Sequence, residues 1–110
     1  MGNLFELTDP QGRKVACSWE VWNIHIVGRR KWMMKRFEEV QKTVQMPNLI
    51  QQDVVRTNRE SYYRLFGIGN DSLYMKVVVE FDQLFKQGSV ITAYTCDQPK
   101  PGETVLWMEI

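Results

Sequence analysis

The sequence is poor in the side chains that most often form metal and catalytic sites. Its 110 residues include two cysteines, Cys17 and Cys96, and one histidine, His25. No CxxC pair is present, and one histidine does not complete a usual zinc ligand set with two distant cysteines. We therefore predict no metal site. Both cysteines are expected to be small, partly buried apolar residues, joined in a disulfide only if the fold brings them together.

Several motifs of phosphate and acyl chemistry are also missing. The chain has no GxxxxGK[ST] or GxGxxG loop and no GxSxG turn, and its carboxylates are not clustered. Nucleotide hydrolysis, dinucleotide binding and two-metal catalysis lack their usual supports, so any phosphate chemistry would be independent of metals and cofactors. No basic leader precedes an apolar stretch, and no apolar run reaches about 18 residues, which predicts a cytoplasmic protein without membrane contact.

What the chain does contain is enough apolar surface for one core, together with an uneven distribution of charge. Hydrophobic residues make up 44% of the sequence, a composition typical of a folded protein, and the length favours one domain over residues 1–110. The net charge is +1, but residues 1–64 hold eleven Lys/Arg and seven Asp/Glu, whereas residues 65–110 hold three and six. The first half is therefore the half that attracts phosphate groups.

The order of periodic segments predicts the α+β fold class. Apolar and polar residues alternate on both sides of the turn sequence "DPQG", which indicates an N-terminal β-hairpin. Ser18 is placed to cap a first helix that reaches Gly28, and a second helix is predicted over 31–45, before Pro47. Four β-rich segments follow: "SYYRLF", "LYMKVVVEF", "SVITAYTC" and "TVLWMEI". We predict two α-helices packed on a mainly antiparallel four-stranded sheet.

His25 is the first candidate for chemistry, because imidazole exchanges protons near neutral pH. Arg29 follows four residues later, on the same face of an α-helix, where its guanidinium would hold a phosphate beside the imidazole. The alternative is a histidine that packs within the helix and bonds a backbone carbonyl. The spacing alone does not separate the two.

The segment "RRKWMMKR" (29–36) has five cations among eight residues. It either steers RNA and stacks a base on its tryptophan, or forms a solvated helix face whose apolar residues pack inward. Side chains alternate between the two faces of a strand, and this alternation predicts one polar face of the sheet, shared by Arg64, Lys76, Thr92 and Tyr94. Lys76 on that face is a further cation that could contact RNA. The candidate RNA-binding residues are Arg30, Lys31, Trp32, Lys35, Arg36 and Lys76.

These motifs resemble a known family in their order and spacing. The sequence "DPQGR…S-x-E-x-W…HI-x-x-R…P-N-x-I…YYR…LYMKVVVEF…VITAY" is similar to the phage- and bacterium-borne small nucleases related to barnase, EndoU, colicins and RelE-type toxins (the BECR family), across roughly residues 5–95. The resemblance implies a RelE/barnase-like fold and metal-independent RNA cleavage through a 2′,3′-cyclic phosphate. It assigns the catalytic roles to His25, Arg29, Arg64, Thr92 and Tyr94.

Three hypotheses about function remain open. The first is a toxin-like or phage-derived endoribonuclease, which would imply a protein inhibitor or antitoxin as a partner. The second is a catalytically inactive relative that binds RNA or a protein, because Arg30 and Lys31 stand where the family has a second histidine followed by proline. A third, assembly role would pair the apolar C-terminal strand with a second copy in a homodimer.

Overall fold

A mixed β-sheet forms the centre of the protein in a computed structural model that describes residues 2–68 and 71–110. Within those residues the sheet has seven strands in the order β1-β2-β6-β5-β4-β3-β7. Strands β2 and β6 are parallel, and the other neighbours are antiparallel. The strands are β1 (Asn3–Thr8), β2 (Lys14–Ser18), β3 (Leu49–Gln52), β4 (Arg59–Ile68), β5 (Asp71–Phe81), β6 (Gln87–Cys96) and β7 (Thr104–Met108).

The helical part of the chain differs from the prediction. The first predicted helix is a seven-residue π-helical segment, Val21–Val27, whose β-branched residues are poor α-helix formers. A Cβ at Gly28 would collide with the backbone oxygen of Ile24, so the tight exit from this segment requires glycine. The second predicted helix is present: a 3₁₀-helix, Lys31–Arg36, continues directly into helix α1, Phe37–Gln45.

The predicted fold, two α-helices on a four-stranded sheet, is therefore wrong, although the α+β class and the N-terminal hairpin are present. Two features were missed. The four-residue strand β3 is too short for its periodicity to indicate a strand. The hairpin joins the main sheet because Lys14–Ala16 of β2 pair with Gln87–Ser89 of β6, a long-range contact that no local pattern reveals.

The main core lies between the helical segments and one face of the sheet, here called the helical face. Alternate residues of β5 supply much of it, and the sequence placed them correctly: Met75, Val77, Val79 and Phe81 are all buried. Phe37 of α1 packs edge-on against Trp22, with ring centroids 4.8 Å apart. Burying apolar side chains from both layers is the main source of stability in such a fold.

The second face of the sheet is partly covered by the connection Asp97–Glu103. This segment leads from β6 to β7. Three strands, β5, β4 and β3, lie between these two in the sheet, so the segment crosses them. The backbone N–H of Lys100 donates to the hydroxyl of Tyr63 at 3.2 Å, which places the crossing on the second face. Tyr63 is consequently fully buried although it points away from the main core.

A buried ionic network closes one end of the main core. Arg13, from the β1–β2 turn, donates to Asp9 at 2.9 Å and to both carboxylate oxygens of Glu60 at 3.0 and 2.7 Å. The Tyr62 hydroxyl donates to Asp9 at 2.5 Å, and the Arg13 guanidinium stacks 4.1 Å from the ring centre of Phe81. Burial and the hydrogen bond to Asp9 raise the pKa of Tyr62, so its phenol stays protonated.

Replacing Arg13 with methionine will strongly destabilise the protein. The variant keeps most of the aliphatic volume but leaves the carboxylates of Asp9 and Glu60 buried without their cation, which typically costs about 3–5 kcal/mol. Urea unfolding measures the loss, with Arg56→Met as the control because Arg56 is exposed. A loss of the same size in both variants would contradict a structural role for the network.

The two cysteines lie on opposite faces of the sheet and are both free thiols. Cys17 belongs to the main core, and burial raises its pKa to about 12. Cys96 is half-buried on the second face; burial raises the pKa of its thiol too, while nearby Lys76 opposes the rise. The conditional disulfide of the sequence analysis does not form, because the sheet separates the two residues.

Thiol labelling will follow this difference in burial. At pH 8 we expect the Cys96→Ser variant, which retains only Cys17, to react with an aromatic disulfide reagent only in denaturant, because thiolate is the reacting species. The Cys17→Ser variant will react in the folded state, more slowly than a free thiol, and faster as the pH rises through the raised pKa of Cys96. Rapid labelling of folded Cys96→Ser would contradict the burial of Cys17.

Candidate functional site

Several predicted site residues meet on the second face of the sheet, around Lys76. Lys76 lies directly opposite Tyr94 in the β5–β6 pair, and Thr92 lies opposite Val78 on the same face. The guanidinium of Arg30 stacks over the ring of Tyr94, 4.8 Å from the ring centre. We call these four residues, Arg30, Lys76, Thr92 and Tyr94, the Lys76 cluster.

Lys76 is held between two phenol rings. Its ammonium nitrogen lies 5.4 Å from the ring centre of Tyr63 and 5.5 Å from that of Tyr94. Burial disfavours the charged ammonium, but the phenols of Tyr63 and Tyr94 outweigh this effect and raise the pKa of Lys76 above its ordinary value. Lys76 is therefore a fixed positive charge at neutral pH.

The chain around His25 reaches the Lys76 cluster through Arg30. Strand β2 pairs with only the first part of β6, and the π-helical segment packs against β6, with Trp22 and Ile26 in the main core. His25 is half-buried in that segment, and Arg30 is extended just beyond it. Arg29 is exposed in the intervening turn, so the α-helical spacing that placed it beside His25 does not apply.

Arg64 does not join the Lys76 cluster, which corrects the predicted polar face. In the β4–β5 pair Arg64 lies opposite Met75, a core residue, whereas Tyr63 lies opposite Lys76. Thr92 and Tyr94 are therefore on one side of the sheet and Arg64 is on the other. Alternation fixes which residues of β4 share a face but not which face is polar. The neighbouring Tyr62 and Tyr63 did not decide this, because tyrosine suits a polar or an apolar face, and both are in fact buried.

Arg64 instead lines a cleft between α1 and β4, which we call the α1–β4 cleft. Its volume is about 330 Å³, and it contains three cations, Arg36, Lys42 and Arg64, and one carboxylate, Glu39. Arg64 Nη1 donates to the backbone oxygen of Met46 at 2.6 Å. The remaining lining residues include Thr43, Phe66 and Met75.

The basic segment 29–36 runs between these two sites. Arg30 contacts Tyr94 at its start, and at its end the guanidinium of Arg36 lies 5.6 Å from the ring centre of Phe66. Between them Lys31 and Lys35 are exposed, and the side chain of Trp32 is 48% exposed. A shallow hollow lies here, lined by Lys31, Trp32, Met34, Lys35 and Arg36.

Sequence reasoning missed the parts of these sites that depend on tertiary packing. Lys42 and Phe66 line the α1–β4 cleft and Tyr63 lies near Lys76, yet the sequence analysis named none of the three as a site residue. One signal was available: Arg36, Glu39 and Thr43 recur at helical spacing, which places their side chains on one face. Pairing that face with β4 required the fold.

The arrangement can bind anions but lacks the features of a metal site or a membrane span. In the residues that the structure describes, no three His, Cys, Asp or Glu side chains gather as metal ligands. No helix in the described part of the chain is long and apolar enough to cross a membrane. The Lys76 cluster combines two cations with two hydroxyl groups, a set that matches the oxygens of a phosphate group.

Comparisons with known proteins do not extend these observations. No protein-family profile, curated protein or solved structure matches the chain.

Proposed function

We propose that this protein binds single-stranded RNA, with the Lys76 cluster holding one phosphodiester group. The observation that carries the proposal is the approach of two cations to the ring of Tyr94: Lys76 lies 5.5 Å and Arg30 4.8 Å from the ring centre. Two cations beside a phenol supply charge and hydrogen-bond donors to a phosphate. The phenol ring itself offers limited stacking surface, because Arg30 lies over it.

The basic segment 29–36 supports the same proposal by extending the positive surface. Its exposed cations follow directly on Arg30, and Trp32 leaves about half of its side chain open to a base. Alternating cations and aromatic rings suit single strands, whose bases are free to stack. This surface belongs to the basic half of the sequence, so the low net charge of the whole chain does not oppose it.

RNA binding will weaken and become less salt-dependent in the Lys76→Met variant. We expect at least tenfold weaker binding of a fluorescent single-stranded RNA, because a charged hydrogen bond contributes about 1.5–3 kcal/mol. The slope of log K against log salt will fall by about one unit, as for loss of one phosphate contact. Lys86→Met, an equal charge change in the exposed β5–β6 loop, is the control. Equal affinities and slopes in both variants would refute the assignment of Lys76.

Cleavage of the bound RNA is a second candidate, favoured by the hydroxyl groups of Thr92 and Tyr94 beside two cations. In this reaction the 2′-oxygen bonds to phosphorus as its proton leaves to a base, and the P–O5′ bond breaks as the 5′-oxygen gains a proton. The products are a 2′,3′-cyclic phosphate and a 5′-hydroxyl. Arg30 and Lys76 would neutralise the reacting phosphate, Tyr94 would protonate the leaving oxygen, and His25 would act as the base. An inhibitor or antitoxin as partner stays a prediction tied to this activity.

If the protein cleaves RNA, it will do so in EDTA and leave 2′,3′-cyclic phosphate ends. His25→Ala and Tyr94→Phe should each lower the rate at least 100-fold, the usual size of a proton-transfer contribution. Tyr74→Phe is the matched control, because Tyr74 lies in the adjacent row of the same face, opposite Cys96. No cleavage of varied RNAs, with salt-sensitive binding retained, would leave RNA binding as the function and exclude the nuclease.

A further inference from the structure

The α1–β4 cleft contains two cations, Lys42 and Arg64, that the RNA proposal does not use. It lies on the helical face, across the sheet from the Lys76 cluster, and three cations and one carboxylate give it a net charge of +2. Its volume, about 330 Å³, is in the range of small-molecule sites. A cleft of this charge attracts anions.

The cations of the cleft are available to a ligand. In the described part of the chain, the salt bridges include neither Lys42 nor Arg64. Arg36 contacts Glu39 only at 3.5 Å, the longest of those ion pairs, with both side chains about one-third exposed. Such a pair contributes little and yields readily to a stronger anion.

One feature opposes an anion here, and the structure compensates for it. The last carbonyl groups of α1 carry partial negative charge and would repel a phosphate. Arg64 donates to the carbonyl of Met46, just beyond α1, so a full positive charge lies at that end of the helix. A guanidinium has five N–H donors, so this bond leaves others for a ligand.

We propose that the α1–β4 cleft binds a phosphomonoester dianion attached to a nucleoside. The phosphate contacts Arg36, Lys42 and Arg64. Its charge of about −2 at neutral pH balances the net charge of the cleft, whereas a phosphodiester or a single carboxylate carries only one negative charge. The partly exposed ring of Phe66 contacts the nucleoside, and the buried Met75 forms the floor of the cleft. The ligand is either a free mononucleotide or the phosphorylated end of an RNA strand.

Titration of the full chain with 5′-AMP, adenosine and inorganic phosphate, followed by amide NMR shifts, tests the proposal. We expect 5′-AMP to bind at least tenfold more tightly than adenosine, with the largest shifts at Thr43 and Phe66 and not at Thr92 and Tyr94. Affinity will fall several-fold from pH 7 to pH 5, because the phosphomonoester loses its second charge near pH 6. Equal binding of 5′-AMP and adenosine, or shifts confined to the second face, would overturn the proposal.

Variants locate the site and separate the two sources of the ligand. Lys42→Met and Arg64→Met should each weaken 5′-AMP binding at least fivefold, whereas Lys86→Met should not; the exposed Lys42 can be replaced without disturbing the core. A 5′-phosphorylated oligonucleotide that binds more tightly than its 5′-hydroxyl form identifies an RNA end, and no difference identifies a mononucleotide. Binding of 5′-AMP to the cleft does not involve Lys76. Failure of the RNA proposal and failure of this proposal are therefore distinguishable. Unchanged 5′-AMP binding in both cleft variants would overturn the assignment.

Discussion

The Arg13 guanidinium joins parts of the chain that are far apart in sequence, and the geometry of both sites depends on that junction. It neutralises Asp9 in the hairpin turn and Glu60 at the start of β4, while stacking on Phe81. Burying two carboxylates is unfavourable without such a cation. Because β2 pairs with β6 over only three residues, the network is a second attachment of the hairpin to the sheet. It thereby holds the start of β2 against the sheet, and the π-helical segment follows at the other end of that strand.

From that point the positions of the cations follow in sequence. The π-helical segment packs against β6, and Arg30, just beyond the segment, contacts the ring of Tyr94 in β6. The 3₁₀-helix then carries the basic segment across to Phe66 and into α1. One short stretch of chain therefore supplies a cation to each face of the sheet: Arg30 to the Lys76 cluster and Arg36 to the α1–β4 cleft. The two sites differ in chemistry, but both take a cation from the basic segment 29–36.

The sequence predicted what depends on local periodicity and failed where packing decides. It placed the second helix at 31–45, the core side of β5, and Lys76, Thr92 and Tyr94 on a common face. It misassigned Arg64 because it assumed one buried and one exposed face of the sheet. In the structure residues 97–103 cover the second face at Tyr63, so both faces bury side chains. The parallel β2–β6 pair and the Arg13 network were beyond reach, since both join distant segments.

The electrostatics of the Lys76 cluster also limit which proton transfers the second face can support. The raised pKa of Lys76 keeps its ammonium charged at neutral pH, so Lys76 stabilises negative charge but does not accept a proton from a 2′-hydroxyl. The guanidinium of Arg30 has N–H donors but no acceptor atom, so it does not act as the base either. The cluster therefore supplies positive charge and two hydroxyl groups but no base, and a nuclease built on it needs a proton acceptor from outside. His25, the only imidazole in the sequence, lies in the segment that carries Arg30, and RNA cleavage depends on its reaching the bound phosphate.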